Sequence, residues 1–333
     1  MARRTPEQVK AIIAEKIPAG IVVAEHTKDA HYYRHVPTDL LFPSVTTITG
    51  VLGGGDHLKK WAAQLAVDHI EERFEMLIKL DSIGRAEMYR AAVLAHKDTF
   101  EDAGGIGTLG HGVAEEYIKK WLETGNRPED ITEYIQDEDY RLWAISRSVQ
   151  KFCKDYYAIP VASELKVAHV WGKKKEGYAG TLDALMFLAF PVRKGKDGCE
   201  HELGLGSQWD TFSCMICDAK WQYYLCLVDF KTSNTIWQFP TPEGKVKEIK
   251  DDYVMQTTSY DKALKWMTGI KTDKIVVVRL DKAQEKYEVG EVVDRAGAYK
   301  SFLGLKKAYD WMHSSTQKSK TLATKERISI ADL

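Results

Sequence analysis

The sequence predicts an α/β fold of the α+β kind, and three observations carry that prediction. From about residue 57 to 157 apolar residues recur at intervals of three and four, the period of helices with one buried face. From Pro160 the period falls to two, the mark of strands. One helical stretch then interrupts the strands and a second follows them.

Taken in order, GIVVAEHTKDAHYYRHV (20–36) reads as a hairpin with a Lys28-Asp29 turn, and LFPSVTTITGVL (41–52) as an extended run rich in β-branched residues. Helices are expected near 57–79, 84–100, 108–124 and 138–157. Strands are expected at 161–171, 177–190, 221–233, 273–282 and 286–293. The interrupting helix is DDYVMQTTSYDKALKWM (251–267) and the closing one AGAYKSFLGLKKAYDWMH (296–313), followed by a loose polar tail.

With 333 residues, 44% hydrophobic and 29% charged, the chain has material for a large core. No stretch approaches the roughly 20 apolar residues of a membrane span, and no secretory leader is evident, so a cytoplasmic protein is expected, with no membrane partner. A net charge of −1 requires any nucleic acid to be bound by a local basic groove. Five cysteines, an odd number, argue against a disulfide framework.

Gly105, Gly107 and Gly110 spell G-x-G-x-x-G, but a dinucleotide turn needs a strand immediately before it, and the preceding residues are helical in pattern. What remains is a helix start built to present His111, or a merely flexible helix start with His111 an incidental surface or core histidine.

In VDFKTS, Asp229 and Lys231 lie two apart on a strand and so share one face with Leu225 and Leu227, while Cys226, Val228 and Phe230 share the other. D-x-K and E-x-K triplets also occur at Asp218, Glu164, Glu243 and Glu248, but only Asp229 ends a long apolar strand, where a carboxylate costs several kcal/mol without a partner. Either an ion pair with Lys231 or a metal would compensate it. Asp183 sits within another apolar strand, and two such carboxylates converging suit Mg²⁺ or Mn²⁺ and phosphodiester hydrolysis.

These features, in order, resemble the PD-(D/E)XK nucleases and within them the RecB-type exonucleases. The matching series is Pro43 to Ile48, Trp61, Gly107-x-x-x-His111, Glu164, Gly180-x-x-Asp183, Asp229-x-Lys231 and Gln256-x-x-x-Tyr260. The resemblance implies a restriction-endonuclease-like core, a central mixed sheet flanked by helices, behind a helical N-terminal region. It implies that His111, Asp183, Asp229 and the Phe230 backbone carbonyl hold the catalytic metal, that Lys231 and Glu164 act beside them, and that Gln256 and Tyr260 approach DNA. It also implies a substrate of DNA ends or single strands, with a recombination or replication protein as candidate partner in a bacterial or phage-infected cell. A catalytically weak DNA-end-binding module, or a nuclease acting on RNA, would fit the same residues.

One departure stands out. Asp183 and Asp229 are 46 positions apart where a short hairpin is expected, so a segment, about 192–222, is inserted. It carries Cys199, His201, Cys214 and Cys217, the ligand count of a closed structural zinc site; the alternative is a loop with incidental cysteines. No cysteine follows Cys226, so the iron–sulfur cluster of a related branch is not expected. The regions expected are therefore 1–103, an N-terminal hairpin and helices; 104–313, the core, with the insertion inside it; and 314–333, the tail.

Overall fold

The computed structural model describes residues 3–26, 31–52, 55–129, 139–172, 176–193, 195, 199, 203–205, 209–217, 219–233, 239–240, 246–247 and 249–314. Its first half contains α1 (Pro6–Lys16), β1 (Val22–His26), β2 (His31–His35), β3 (Leu40–Pro43), α2 (Val45–Thr49), α3 (Gly55–Glu72), α4 (Phe74–Leu77), α5 (Ser82–Thr124) and α6 (Tyr140–Asp155). The second half contains β4 (Ile159–Trp171), β5 (Glu176–Arg193), β6 (Leu203–Leu205), β7 (Thr211–Cys214), β8 (Lys220–Ser233), β9 (Phe239–Pro240), β10 (Val246–Lys247), α7 (Asp251–Thr268), β11 (Lys274–Asp281), β12 (Tyr287–Glu291) and α8 (Arg295–Met312).

The central sheet is mixed, in the order β12-β11-β8-β5-β4, with β7 and β6 appended at the start of β8. β4, β5 and β8 form an antiparallel meander, and β11 returns parallel to β8 through α7, because a parallel partner needs a crossover. Helices cover both faces. Leu225, Leu227, Ile275 and Val277 pack with Tyr260 and Leu264 of α7 and Phe302 of α8. Cys226, Val228, Phe230 and Val276 pack with Tyr117 of α5 and Ile145 and Phe152 of α6. The alternation expected along β8 is thus the alternation observed.

Local chemistry sets the ends. Thr5 and Gln8 form a capping box with Pro6 in the first turn of α1, Asp81 and Asp139 cap α5 and α6, and Gly269 ends α7 with φ +71°.

Two expectations are corrected. Residues 45–49 of the run read as extended are helical, because Ser44 accepts the amide of Thr47 and starts α2, whose Val45 and Ile48 are fully buried. The two helices expected at 84–100 and 108–124 are one, and α5 runs unbroken through the glycines for 43 residues. Each helical glycine costs about 1 kcal/mol against alanine, and the packing of α5 on α3, α6, β4 and β8 outweighs it. The Lys28-Asp29 turn and residues 315–333 of the tail lie outside the described residues.

Candidate active site

β5 and β8 pair as far as Ala184 opposite Val228, where their ladder ends. One step further along, at Asp183 and Asp229, a side chain takes over: the Phe230 amide donates to Asp183 Oδ2 at 2.7 Å. On the other side β8 stays paired with β11 through Ser233, so the two carboxylates sit on a rigid support where the β5–β8 ladder ends. Lys231 follows, its Nζ 2.6 Å from Asp229 Oδ2. α5 lies against β4 and β8 and brings His111 Nδ1 to 3.4 Å from Asp183 Oδ2. The structure therefore gathers His111, Asp183, Asp229 and Lys231 from three separated stretches of chain.

Glu164 stands on β4 beside Asp183, at φ +49°, a left-handed conformation that costs a non-glycine residue of order 1–2 kcal/mol. Its carboxyl enters a cleft of about 590 Å³ lined also by Thr108, His111 and Glu115 on one face of α5, and by Thr181 and Asp183 on β5.

Burial dominates the electrostatics. It pushes the Glu164 carboxyl up to about 8, with the Asp183 and Glu115 charges adding to the effect. It raises Asp229 above the usual carboxylate range, the Lys231 ammonium only partly opposing it. Asp183 is also desolvated, but the His111 and Lys231 charges and the Phe230 amide outweigh this and keep it below the usual range. For His111 and Lys231 burial opposes the charge, and the two aspartates overcome it.

Asp229 is fully buried, and beyond the Lys231 ion pair neither of its oxygens takes a hydrogen bond from a described residue. A buried carboxylate partnered, among the described residues, by one ammonium suits a hard divalent cation. Asp183, Asp229, His111 and the Phe230 carbonyl are the candidate ligands, although among the described residues it is Cys199, Cys214 and Cys217 whose three ligand atoms lie within 4.8 Å of one another.

Three more motif residues, Gly180, Gln256 and Tyr260, meet beside the carboxylate site. Gln256 Nε2 donates to the Tyr260 hydroxyl at 3.1 Å, and the Tyr260 ring is buried at 3% exposure. A Cβ on Gly180 would fall 2.5 Å from Tyr260 Cε1, so the glycine of Gly180-x-x-Asp183 makes room for the tyrosine of Gln256-x-x-x-Tyr260. Sequence reasoning missed Tyr253, whose ring lies 5.1 Å from Lys231 Nζ and 5.6 Å from Lys250 Nζ. Its spacing was the available signal, since residues 253, 256 and 260 share one helix face.

At the opposite end of β8, the inserted segment forms β6 and β7. The sulfurs of Cys199, Cys214 and Cys217 lie within 4.8 Å of one another and can hold a metal ion such as zinc. Cys199 and Cys214 are 3.8 Å apart, too far for a disulfide, and the Ile216 and Cys217 amides both donate to Cys214 Sγ. Burial and the two neighbouring sulfurs hold the Cys199 thiol protonated, a balance that a bound cation would reverse. His201 lies outside the described residues.

No family model matches the chain, and no curated protein matches it. Among solved structures it is similar to a proposed exonuclease from Eubacterium rectale, at 11% identity and a TM-score of 0.31, over 66% of this chain and 82% of that one. It is also similar to SSO0001, at 11% identity and a TM-score of 0.24, over 63% and 88%. Scores at this level are too low to transfer an activity. Among the described residues no helix is long and apolar enough to cross a membrane.

Proposed function

We propose that the protein is a metal-dependent nuclease that hydrolyses phosphodiester bonds of DNA, acting as an exonuclease on ends or single strands in recombination, repair or genome maintenance. The observation that carries this reading is the buried, hydrogen-bond-poor Asp229 beside Asp183 and Lys231, where the β5–β8 ladder ends. The ordered motif series of the sequence supports it as well.

Asp183, Asp229, His111 and the Phe230 carbonyl would hold Mg²⁺ or Mn²⁺. When bound, the cation supplies Lewis-acid stabilisation of charge on the phosphate. Lys231 remains an ammonium here, so it can donate to the attacking water or to a phosphate oxygen but does not take a proton in this state. Water forms the new bond to phosphorus as the ester bond breaks, its electron pair leaves on the departing oxygen, and the proton that the water loses is passed through solvent to that oxygen, so the step balances. Gln256 and Tyr260 stand beside this site on α7, and Gln256 is the more accessible of the two for a DNA contact. Cys199, Cys214 and Cys217, with His201 as the sequence's candidate for a fourth ligand, would hold a separate structural Zn²⁺, since thiolates select zinc where carboxylates select magnesium.

The test is cleavage of end-labelled single- and double-stranded DNA and RNA, with and without Mg²⁺. Asp229→Ala and Lys231→Ala should abolish cleavage while the circular dichroism spectrum is unchanged. Lys220→Ala, the same kind of residue far along β8, should cleave normally. Near-wild-type cleavage by either active-site variant would sink the assignment.

A further inference from the structure

α5 carries glycines at 105, 107, 110 and 112, and their surroundings differ. A Cβ at Gly105 would have no atom within 4 Å. At Gly107 it would touch Thr232 Oγ1 at 3.4 Å, an ordinary contact. At Gly110 it would fall 2.9 Å from Ile145 Cδ1 and 3.1 Å from Thr232 Cγ2. At 2.9 Å the end of the flexible Ile145 side chain would have to shift, and at 3.1 Å Thr232 would have to give by a few tenths of an ångström, so at Gly110 α5 lies tight against α6 and β8 together.

Thr232 is no passive surface. It follows Lys231 directly and pairs with Leu280 of β11 in the parallel ladder, so it belongs to the best-supported strand of the sheet. The next residue of α5 is His111, which stands 3.4 Å from Asp183. A helix is stiff over one turn, so the depth to which it seats at Gly110 is passed to the neighbouring imidazole.

We propose that Gly110 and Thr232 form a seat that fixes the distance between His111 and Asp183. Both are positioning residues for the candidate metal site, and the inference rests on the reading of that site given above. Gly107 contributes the second contact of the same seat on Thr232. The glycines are then a docking surface for the end of β8 and not a flexible helix start.

The experiment is Gly110→Ala, with Gly105→Ala as the control in open space. A triple variant, Gly110→Ala with Ile145→Val and Thr232→Ser, removes the two methyl groups the new Cβ would strike. Mn²⁺ affinity by calorimetry and the His111–Asp183 distance in crystals are the readouts. Gly110→Ala should weaken Mn²⁺ binding at least tenfold and lengthen that distance, Gly105→Ala should change neither, and the triple variant should return to within about threefold of wild type. Wild-type affinity and spacing in Gly110→Ala, or a loss that the triple variant does not restore, would overturn the proposal. If Gly110→Ala does not fold, Thr232→Ala empties the seat without adding atoms and should itself weaken Mn²⁺ several-fold; unchanged binding there would also overturn it. A wild-type protein that binds no Mn²⁺ would refute the proposed function, while the crystallographic distance would still decide the seat.

Discussion

Gly180→Ala tests whether the sheet and α7 are fitted to each other at the site. The new Cβ would lie 2.5 Å from Tyr260 Cε1 and 3.4 Å from the ring's Cζ and hydroxyl. Carbon atoms prefer about 3.5–4.0 Å, so the closest overlap is about 1 Å. Tyr260 cannot swing clear, because it is 3% exposed and packs in the core that joins α7 to β5 and β8. Overpacking of this kind costs about 1–3 kcal/mol, and the tight contact places it at the upper end. Alanine regains about 0.5–1 kcal/mol over glycine in a strand, which leaves a net loss of about 2 kcal/mol. Urea unfolding of metal-free protein measures it. Tyr260→Leu removes the colliding ring atom, so its cost should be smaller in the Gly180→Ala background, with a coupling of about 1 kcal/mol or more in a double-mutant cycle. A Gly180→Ala loss below about 0.5 kcal/mol, or an additive cycle, would refute the packing argument.

Burial holds the Glu164 carboxyl near 8 against its ordinary 4.5, so the fold favours the protonated form. Its contribution to stability is complete below about pH 4.5 and is lost as pH rises through about 8. Unfolding of metal-free protein followed across pH 5 to 9 should therefore show a decline that Glu164→Gln flattens, and identical pH profiles would contradict the burial argument. Elemental analysis should find about one zinc per chain, and Cys214→Ser with Cys217→Ser should remove it. The core should stay folded in that variant while the inserted segment becomes protease-sensitive; full zinc retention would exclude these sulfurs as ligands.

The strands and the two late helices were legible because their periodicity is driven by burial on known faces: Leu225 and Leu227 fell on one side of β8, Cys226 and Val228 on the other. The carboxylates could be singled out for the same reason, being polar residues where the pattern demanded apolar ones. α1 was overlooked although Thr5-x-x-Gln8 signals a helix start. α2 was hidden because β-branched Val45, Thr46 and Thr47 favour strands, and the Ser44 cap with burial of Val45 and Ile48 overrides that preference. The glycines of α5 misled for a converse reason: low propensity suggested a break, whereas their small size serves a contact with Thr232 that no local pattern reports. Likewise nothing in either motif alone reveals that Gly180 touches Tyr260.

The continuity of α5 makes it a single shaft. It packs against α3, and around Gly110 it is held by α6 and the end of β8. One residue added upstream of Gly105 would leave His111 where it is and instead turn α3 about the shaft by about 100° while displacing it about 1.5 Å. Seven residues, close to two full turns, would restore the original bearing about 10 Å further out. The bearing of α3 relative to His111 is thus set by a residue count, independently of the chemistry at the site.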